Sequence, residues 1–241
     1  MSEKSTIEWT DATWNPVTGC TQVSPGCDHC YALTFAERFR GVPGHPYEQG
    51  FDLKLWPDRL DLPLKWRKPK RIFVNSMSDI FHKSVPEEYI FKVFDTMVKA
   101  DWHIFQVLTK RSARLAKLGN SLPWAKHIWA GVSVETQQYT WRIEHLRQVP
   151  AHIRFISAEP LLGPLSDLNL TGIHWLIAGG ESGYGYRSCD PKWVRDLRDQ
   201  CQQARIAFFF KQWGGRTPKV GGRVLDDCTW DDFPINNMDR N

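Results

Sequence analysis

The sequence predicts an α/β protein, a complete or partial βα (TIM-like) barrel of about six to seven strands. Three observations predict it. Short apolar runs rich in β-branched and aromatic residues recur along the chain, helical stretches lie between most of them, and the runs end in polar groups. No Gly-x-Gly-x-x-Gly opens a helix after the first strand, which argues against a dinucleotide-binding sheet. A length of 241 residues suits one such unit, so a single barrel domain over 1–241 is expected.

The first strand is expected near Thr13–Thr18, followed by a cysteine-bearing loop and a helix from Asp28 to Arg40. Residues 41–70 break the rhythm and are expected to form an irregular excursion. Six further runs follow: Arg71–Asn75, His103–Leu108, His127–Val132, His152–Ile156, Ile173–Ala178 and Ile206–Phe210. Such runs suit strands covered on both faces, as in a parallel sheet. Pro86 favours a helix start before Glu87–Phe94. The amphipathic stretch Thr136–Gln148 stops before Pro150, and Asp190-Pro191 caps a helix through Trp193, Val194, Leu197 and Cys201. The tail after about 215 is expected to be irregular.

The composition, 41% hydrophobic and 24% charged, is that of a globular protein. Met1–Ser5 lacks the apolar core of a signal peptide, and no apolar run approaches the ~20 residues that span a bilayer. A cytoplasmic protein without membrane contact is expected. The net charge of +4 permits a polyanionic partner without demanding one. Twelve Trp are present, whose flat faces serve either a core or the stacking of bases.

The segment Gly19-Cys20-Thr21-Gln22-Val23-Ser24-Pro25-Gly26-Cys27-Asp28-His29-Cys30 carries the strongest chemical signal. Clustered thiols in a reducing compartment point to metal or redox chemistry before disulfides. Three thiolates can hold three corners of a [4Fe–4S] cluster and leave one iron open to a small molecule. Cys27 and Cys30 fall at the start of the expected helix, whose free N–H groups favour thiolates. The alternative is a structural zinc site with His29 or a distant Cys as fourth ligand.

Polar groups follow the apolar runs at once: Asn75, Ser76 and Asp79; Thr109, Lys110 and Arg111; Ser133 and Glu135; Glu159; Glu181; Lys211. In βα barrels the carboxyl ends of strands converge on the active site. A carboxylate there is costly unless paired or used, so the ring reads as a ligand site. For any one member the plainer alternative is an internal ion pair, such as Lys110 with Glu135. Lys65-Trp66-Arg67-Lys68-Pro69-Lys70-Arg71 sets five cations around one Trp, a composition suited to phosphates and bases, or simply to a solvated lead-in to a strand.

Glu8–Cys20 together with Cys27–Ala32 resembles a phage and bacterial family of three-cysteine proteins of radical S-adenosylmethionine (SAM) type. The later blocks resemble it too: Val74–His82, Leu108–Arg111, Gly131–Glu135, Ser157–Leu162, Gly179–Gly183 and Phe210–Gly214. The resemblance spans roughly residues 7 to 215, and it suggests kinship with spore photoproduct lyase, which repairs UV-linked thymines. It implies a [4Fe–4S] cluster on Cys20, Cys27 and Cys30, SAM as cofactor, an external electron donor and a barrel of the radical SAM type. The spacing of six residues then two differs from the commonest pattern of three then two.

On that reading Ser76 and Asp79 would meet the SAM ammonium, Lys110 its carboxylate, and Ser133 and Glu135 its ribose. Glu159, Glu181 and Lys211 would face substrate. Cys189, Tyr31, Tyr184 and Tyr186 are candidate hydrogen-atom donors. Nucleic acid, DNA ahead of RNA, is the expected substrate, with Lys65, Trp66, Arg67, Lys68, Lys70, Arg71 and Arg111 as its contacts. A small molecule or peptide, or non-catalytic nucleic-acid binding with a structural metal, are the alternatives.

Overall fold

The computed structural model describes residues 4–234. It opens with strand β1 (Ala12–Trp14), and β2 (Val17–Thr18) pairs antiparallel with β3 (Lys54–Leu55). The main strands are β4 (Arg71–Val74), β5 (Ile104–Thr109), β6 (Ile128–Ser133), β7 (Arg154–Ala158), β8 (Trp175–Gly179) and β9 (Ala207–Gln212). With β1 they form one seven-stranded parallel sheet in the order β1-β4-β5-β6-β7-β8-β9. Each neighbour in the sheet is the next long strand in sequence, and the sheet curls into a half-barrel, a partial TIM-like fold. The six later expected strands form, displaced by a residue or two at their ends, whereas the first, expected near Thr13–Thr18, divides into β1 in the main sheet and β2 in the small one.

Six helices accompany them: α1 (Tyr31–Glu37), α2 (Leu62–Lys65), α3 (Glu87–Lys99), α4 (Ser112–Gly119), α5 (Trp141–Arg147) and α6 (Pro191–Ala204). Asp190 caps α6 as expected, its carboxylate accepting from the Lys192 N–H at 2.8 Å. The helix expected from Asp28 is shorter. A 3-10 turn at Pro25–Cys27 comes first, and Cys30 is the extended N-cap (ψ 117°) of α1. Likewise a 3-10 turn at Gln137–Tyr139 replaces the first turn of the helix expected from Thr136.

The excursion at 41–70 is more ordered than expected. Trp56 anchors it, donating its ring N–H to Thr18 at 2.8 Å and its backbone N–H to the Pro16 carbonyl at 2.9 Å. The tail also folds back. After the hairpin β10 (Val224–Leu225) and β11 (Cys228–Thr229), residues 230–232 run along β9, with Phe210 N–H bonded to Trp230 and Asp232 N–H to Phe208.

Alternation along the strands sorts the side chains between two faces. Ile72, Val74, Phe105, Val107, Ile128, Ala130, Val132, Leu176 and Phe210 face the helices and pack on residues such as Ile90, Val93 and Phe94 of α3. The other face holds Phe73, Trp129, Phe155, Trp175, Ile177 and Phe209, joined by Trp9. These rings fill the half-barrel; Trp175 lies edge-on to Trp9, Trp129 and Phe209. Gly131 makes room for one of them, since a Cβ there would lie 2.3 Å from the Phe155 ring. Most of the largest buried Trp side chains are therefore core. Toward the carboxyl ends the same parity passes from aromatic to polar: Ser133 and Glu135, Ser157 and Glu159, Glu181 and Lys211.

Candidate functional site

The cysteine loop leaves β2 and crosses the carboxyl ends of the strands. Gly19 has φ +84° and passes so close to the chain at 51–52 that a Cβ would lie 2.3 Å from the Asp52 carbonyl. Cys20 N–H then bonds the Phe51 carbonyl at 3.2 Å. All three thiols are partly exposed.

Three carboxylates at strand ends hold this loop. Asp79, after β4, accepts from the Thr109 hydroxyl at 2.7 Å, from the Phe81 and Lys110 N–H groups, and from the Arg111 guanidinium at 3.3 Å. Arg111 carries the connection on, reaching the Cys20 Sγ at 3.4 Å and the Thr21 carbonyl at 2.9 Å. Glu135, after β6, is fully buried. Its Oε1 accepts from the Ser24 hydroxyl at 2.7 Å and pairs with Lys110, and its Oε2 pairs with Arg142 at 2.9 Å. Glu181, after β8, meets His29 Nδ1 at 3.0 Å and Arg187 at 2.6 Å, while Arg187 also bonds Asp28 at 3.2 Å and the Pro25 carbonyl at 2.8 Å.

The electrostatics follow. Burial pushes the Glu135 carboxyl up, but Lys110 and Arg142 outweigh it and hold it below the ordinary carboxylate value. Glu181 behaves likewise, its burial outweighed by Arg187 and His29. Burial pushes the Cys20 thiol up to about 11, with Asp79 adding to the push and Arg111 opposing it. Burial raises Cys30 as well. Both thiols keep their protons at neutral pH until a metal displaces them.

The other expected site residues lie around this loop and the inner face beneath it. Both Glu135 oxygens are engaged inside the protein, where they anchor the loop, and the Lys110–Glu135 ion pair forms. Asp79 is spent on four donors and braces β5 and Arg111. Ser76 exchanges hydrogen bonds with Asn15, and its carbonyl accepts from the Tyr31 hydroxyl at 2.5 Å. Ser133 is buried, its carbonyl bonded to Arg142. Glu159 and Lys211 pair at 3.0 Å on the inner face and stay partly exposed. A bulge between β8 and β9 sets the Lys211 Cβ where it would touch a side chain at Gly179. Cys189 packs beside Gly180, and burial pushes its thiol up to about 12.

The basic run lies elsewhere. It leads into the amino end of β4, whereas the cysteine loop sits at the carboxyl ends. Trp66 is 7% exposed and packed in the core, not open to a base. Arg71 pairs with Asp11 at 3.0 Å, and Arg111 belongs to the cysteine loop. Ser24, Arg142 and Arg187 were not expected. The sequence marks them only as a serine before Pro-Gly and as two arginines within seven residues of a glutamate.

Among the described residues no three His, Cys, Asp or Glu side chains converge where a single metal ion could sit. The corner ligands of a cubane bind different irons and need no such single point. His29, the fourth ligand of the zinc alternative, is turned to Glu181.

A curled seven-stranded parallel sheet whose strand ends support a loop of three thiols defines a partial TIM-like half-barrel. The chain belongs to the family described as a protein of unknown function, DUF5131, whose model matches residues 4–234. In fold it is similar to spore photoproduct lyase complexed with dinucleoside spore photoproduct, at 12% identity and a TM-score of 0.52, covering 81% of this chain and 74% of that one. A mutant spore photoproduct lyase is similar at 13% identity and 0.52, covering 82% and 75%. No curated protein matches the chain in sequence. No helix among the described residues is long and apolar enough to cross a membrane.

Proposed function

We propose that this protein is a radical SAM enzyme that acts on nucleic acid, with repair of a DNA photolesion as the leading reaction. The observation that carries the reading is the loop of three thiols over the carboxyl ends of a half-barrel, held there by Asp79, Glu135 and Glu181. The donor set fits a [4Fe–4S] cluster: Cys20, Cys27 and Cys30 would ligate three irons. Arg111 against Cys20 and the amino end of α1 at Cys30 add the positive field that an anionic cluster needs. Loaded with SAM and given an electron by an external donor, such a cluster would supply 5′-deoxyadenosyl radical chemistry.

This chain's own residues do the rest. The aromatic filling of the half-barrel keeps water from beneath the site. Ser76 and Lys110 stand on the cluster side, where the amino-acid end of SAM is assigned. Glu159 and Lys211, paired and partly exposed, face the substrate. The likeness in fold to a lyase bound to a dinucleoside photoproduct supports DNA as substrate.

Anaerobic reconstitution tests the reading. Four irons per chain are expected, with release of 5′-deoxyadenosine on adding SAM and dithionite, and loss of both in Cys30→Ala. Restoration of thymines in a UV-treated oligonucleotide would establish the repair reaction. Zinc alone, or a cluster that never cleaves SAM, would overturn the enzymatic reading.

A further inference from the structure

The connection from β8 to α6 carries the most exposed aromatic side chain among the described residues. Tyr184 is 89% exposed and Tyr186 is 46% exposed. Both present flat ring faces to solvent on a well-fixed loop, the arrangement that stacking on a planar partner requires.

The loop is well fixed. Ser182 pairs with Gly215, and Gly183 N–H bonds the Gly215 carbonyl at 2.9 Å. At the other end Arg187 grips Glu181 through its backbone and its guanidinium. Gly183 (φ +127°) and Gly185 (φ +77°) hold backbone conformations that side chains disfavour, and Tyr186 N–H closes the turn onto the Gly183 carbonyl at 3.3 Å. The tip rests on the cysteine loop: a Cβ at Gly185 would lie 3.7 Å from the His29 ring. The tyrosine-bearing turn thus borders the cysteine loop at His29. Arg216, exposed and next to Gly215, has no ion-pair or hydrogen-bond partner among the described residues. Two planar rings and one available cation match the bases and phosphate of a flexible strand.

We propose that Tyr184 and Tyr186 form a stacking platform for the bases of single-stranded nucleic acid, with Arg216 on its backbone. This rests on the reading of the cysteine loop as the reaction centre, and it adds a contact that selects the substrate through ring stacking, not through hydroxyl chemistry.

The test uses the full-length protein, reconstituted anaerobically, titrated into a fluorescein-labelled twelve-nucleotide oligothymidylate. Y184A/Y186A should bind about tenfold more weakly or worse, while Y184F/Y186F stays within about twofold of the original, since stacking needs the ring alone. R216Q should lower the slope of log affinity against log salt by about 0.7. Iron content equal to the original in Y184A/Y186A shows that the loop beneath is intact. Unchanged affinity in Y184A/Y186A overturns the platform, as does an original protein that ignores the oligonucleotide. Iron content and 5′-deoxyadenosine release, measured on the same original preparation, report separately whether the radical SAM reading stands.

Discussion

The Ser24 hydroxyl donates to the Glu135 carboxylate at 2.7 Å, joining the middle of the cysteine loop to the end of β6. Gly26 stands against the same carboxylate, where a Cβ would lie 2.6 Å from Oε1. The loop therefore sits directly on a buried ion-pair cluster, and its height over the half-barrel is set by the size of residue 26. Gly26→Ala should cost about 1–3 kcal/mol, because Glu135 is held from below by Lys110 and Arg142 and cannot retreat. A denaturation midpoint checks this, and an unchanged midpoint would show that the loop, not the carboxylate, yields.

Removing the carboxylate is more severe. Glu135→Ala leaves Arg142, 1% exposed, without its ion-pair partner and should destabilise the protein by about 3–5 kcal/mol. The sign with pH follows from the lowered carboxyl. Its contribution is complete above the ordinary value of 4.5 and is lost only as pH falls through the lower folded value. Acid titration of stability should thus lose a step in Glu135→Ala.

Arg187 ties the β8–α6 loop to the cysteine loop through Glu181, Asp28 and the Pro25 carbonyl. Arg187→Lys keeps the charge and loses the fork. Hydrogen exchange at 25–30 should speed up by about tenfold while β5 and β6 stay protected. Equal protection throughout would show that Ser24 and Arg111 suffice to hold the loop.

His103 and His174 are kept neutral. Burial lowers both, and His103 bonds the Pro63 carbonyl through Nε2 while its Nδ1 is buried without a partner. Above about pH 6.5 both folded and unfolded states are neutral and nothing is lost. As pH falls from there toward the lowered folded values, the unfolded chain takes up protons first and stability declines. Melting temperature measured from pH 8 to 5.5 should drop, and less so in His174→Asn.

The basic run also makes a quantitative prediction. Lys65, Arg67 and Lys68 are exposed at the pole away from the thiols. If a long strand wraps there, neutralising all three lowers the salt slope of binding by about 2. A short oligonucleotide confined to the mouth should show no change.

The strands were legible because a strand covered on both faces must be apolar throughout, and Arg71–Asn75 or Ile173–Ala178 can hardly be read otherwise. The polar ends were legible for the same reason: Glu135 and Glu181 interrupt a pattern that has no place for charge. What each carboxylate meets was not legible. Glu135 lies 111 residues from Ser24 and beside an arginine in what reads as an ordinary amphipathic helix, so nothing local distinguishes an anchor from a ligand. Trp66 misled for a related reason. Its neighbours are solvated cations, but the chain turns its ring inward against His103.

The returning tail has a consequence for how the molecule meets its own copies. Because Trp230 and Asp232 occupy the outer hydrogen-bonding line of β9, that side of the sheet offers no template to a second molecule. A chain cut at residue 223 would bare the main-chain groups of Phe208 and Phe210 and should self-associate strand to strand. The last dozen described residues thus act as a built-in guard against fibre growth.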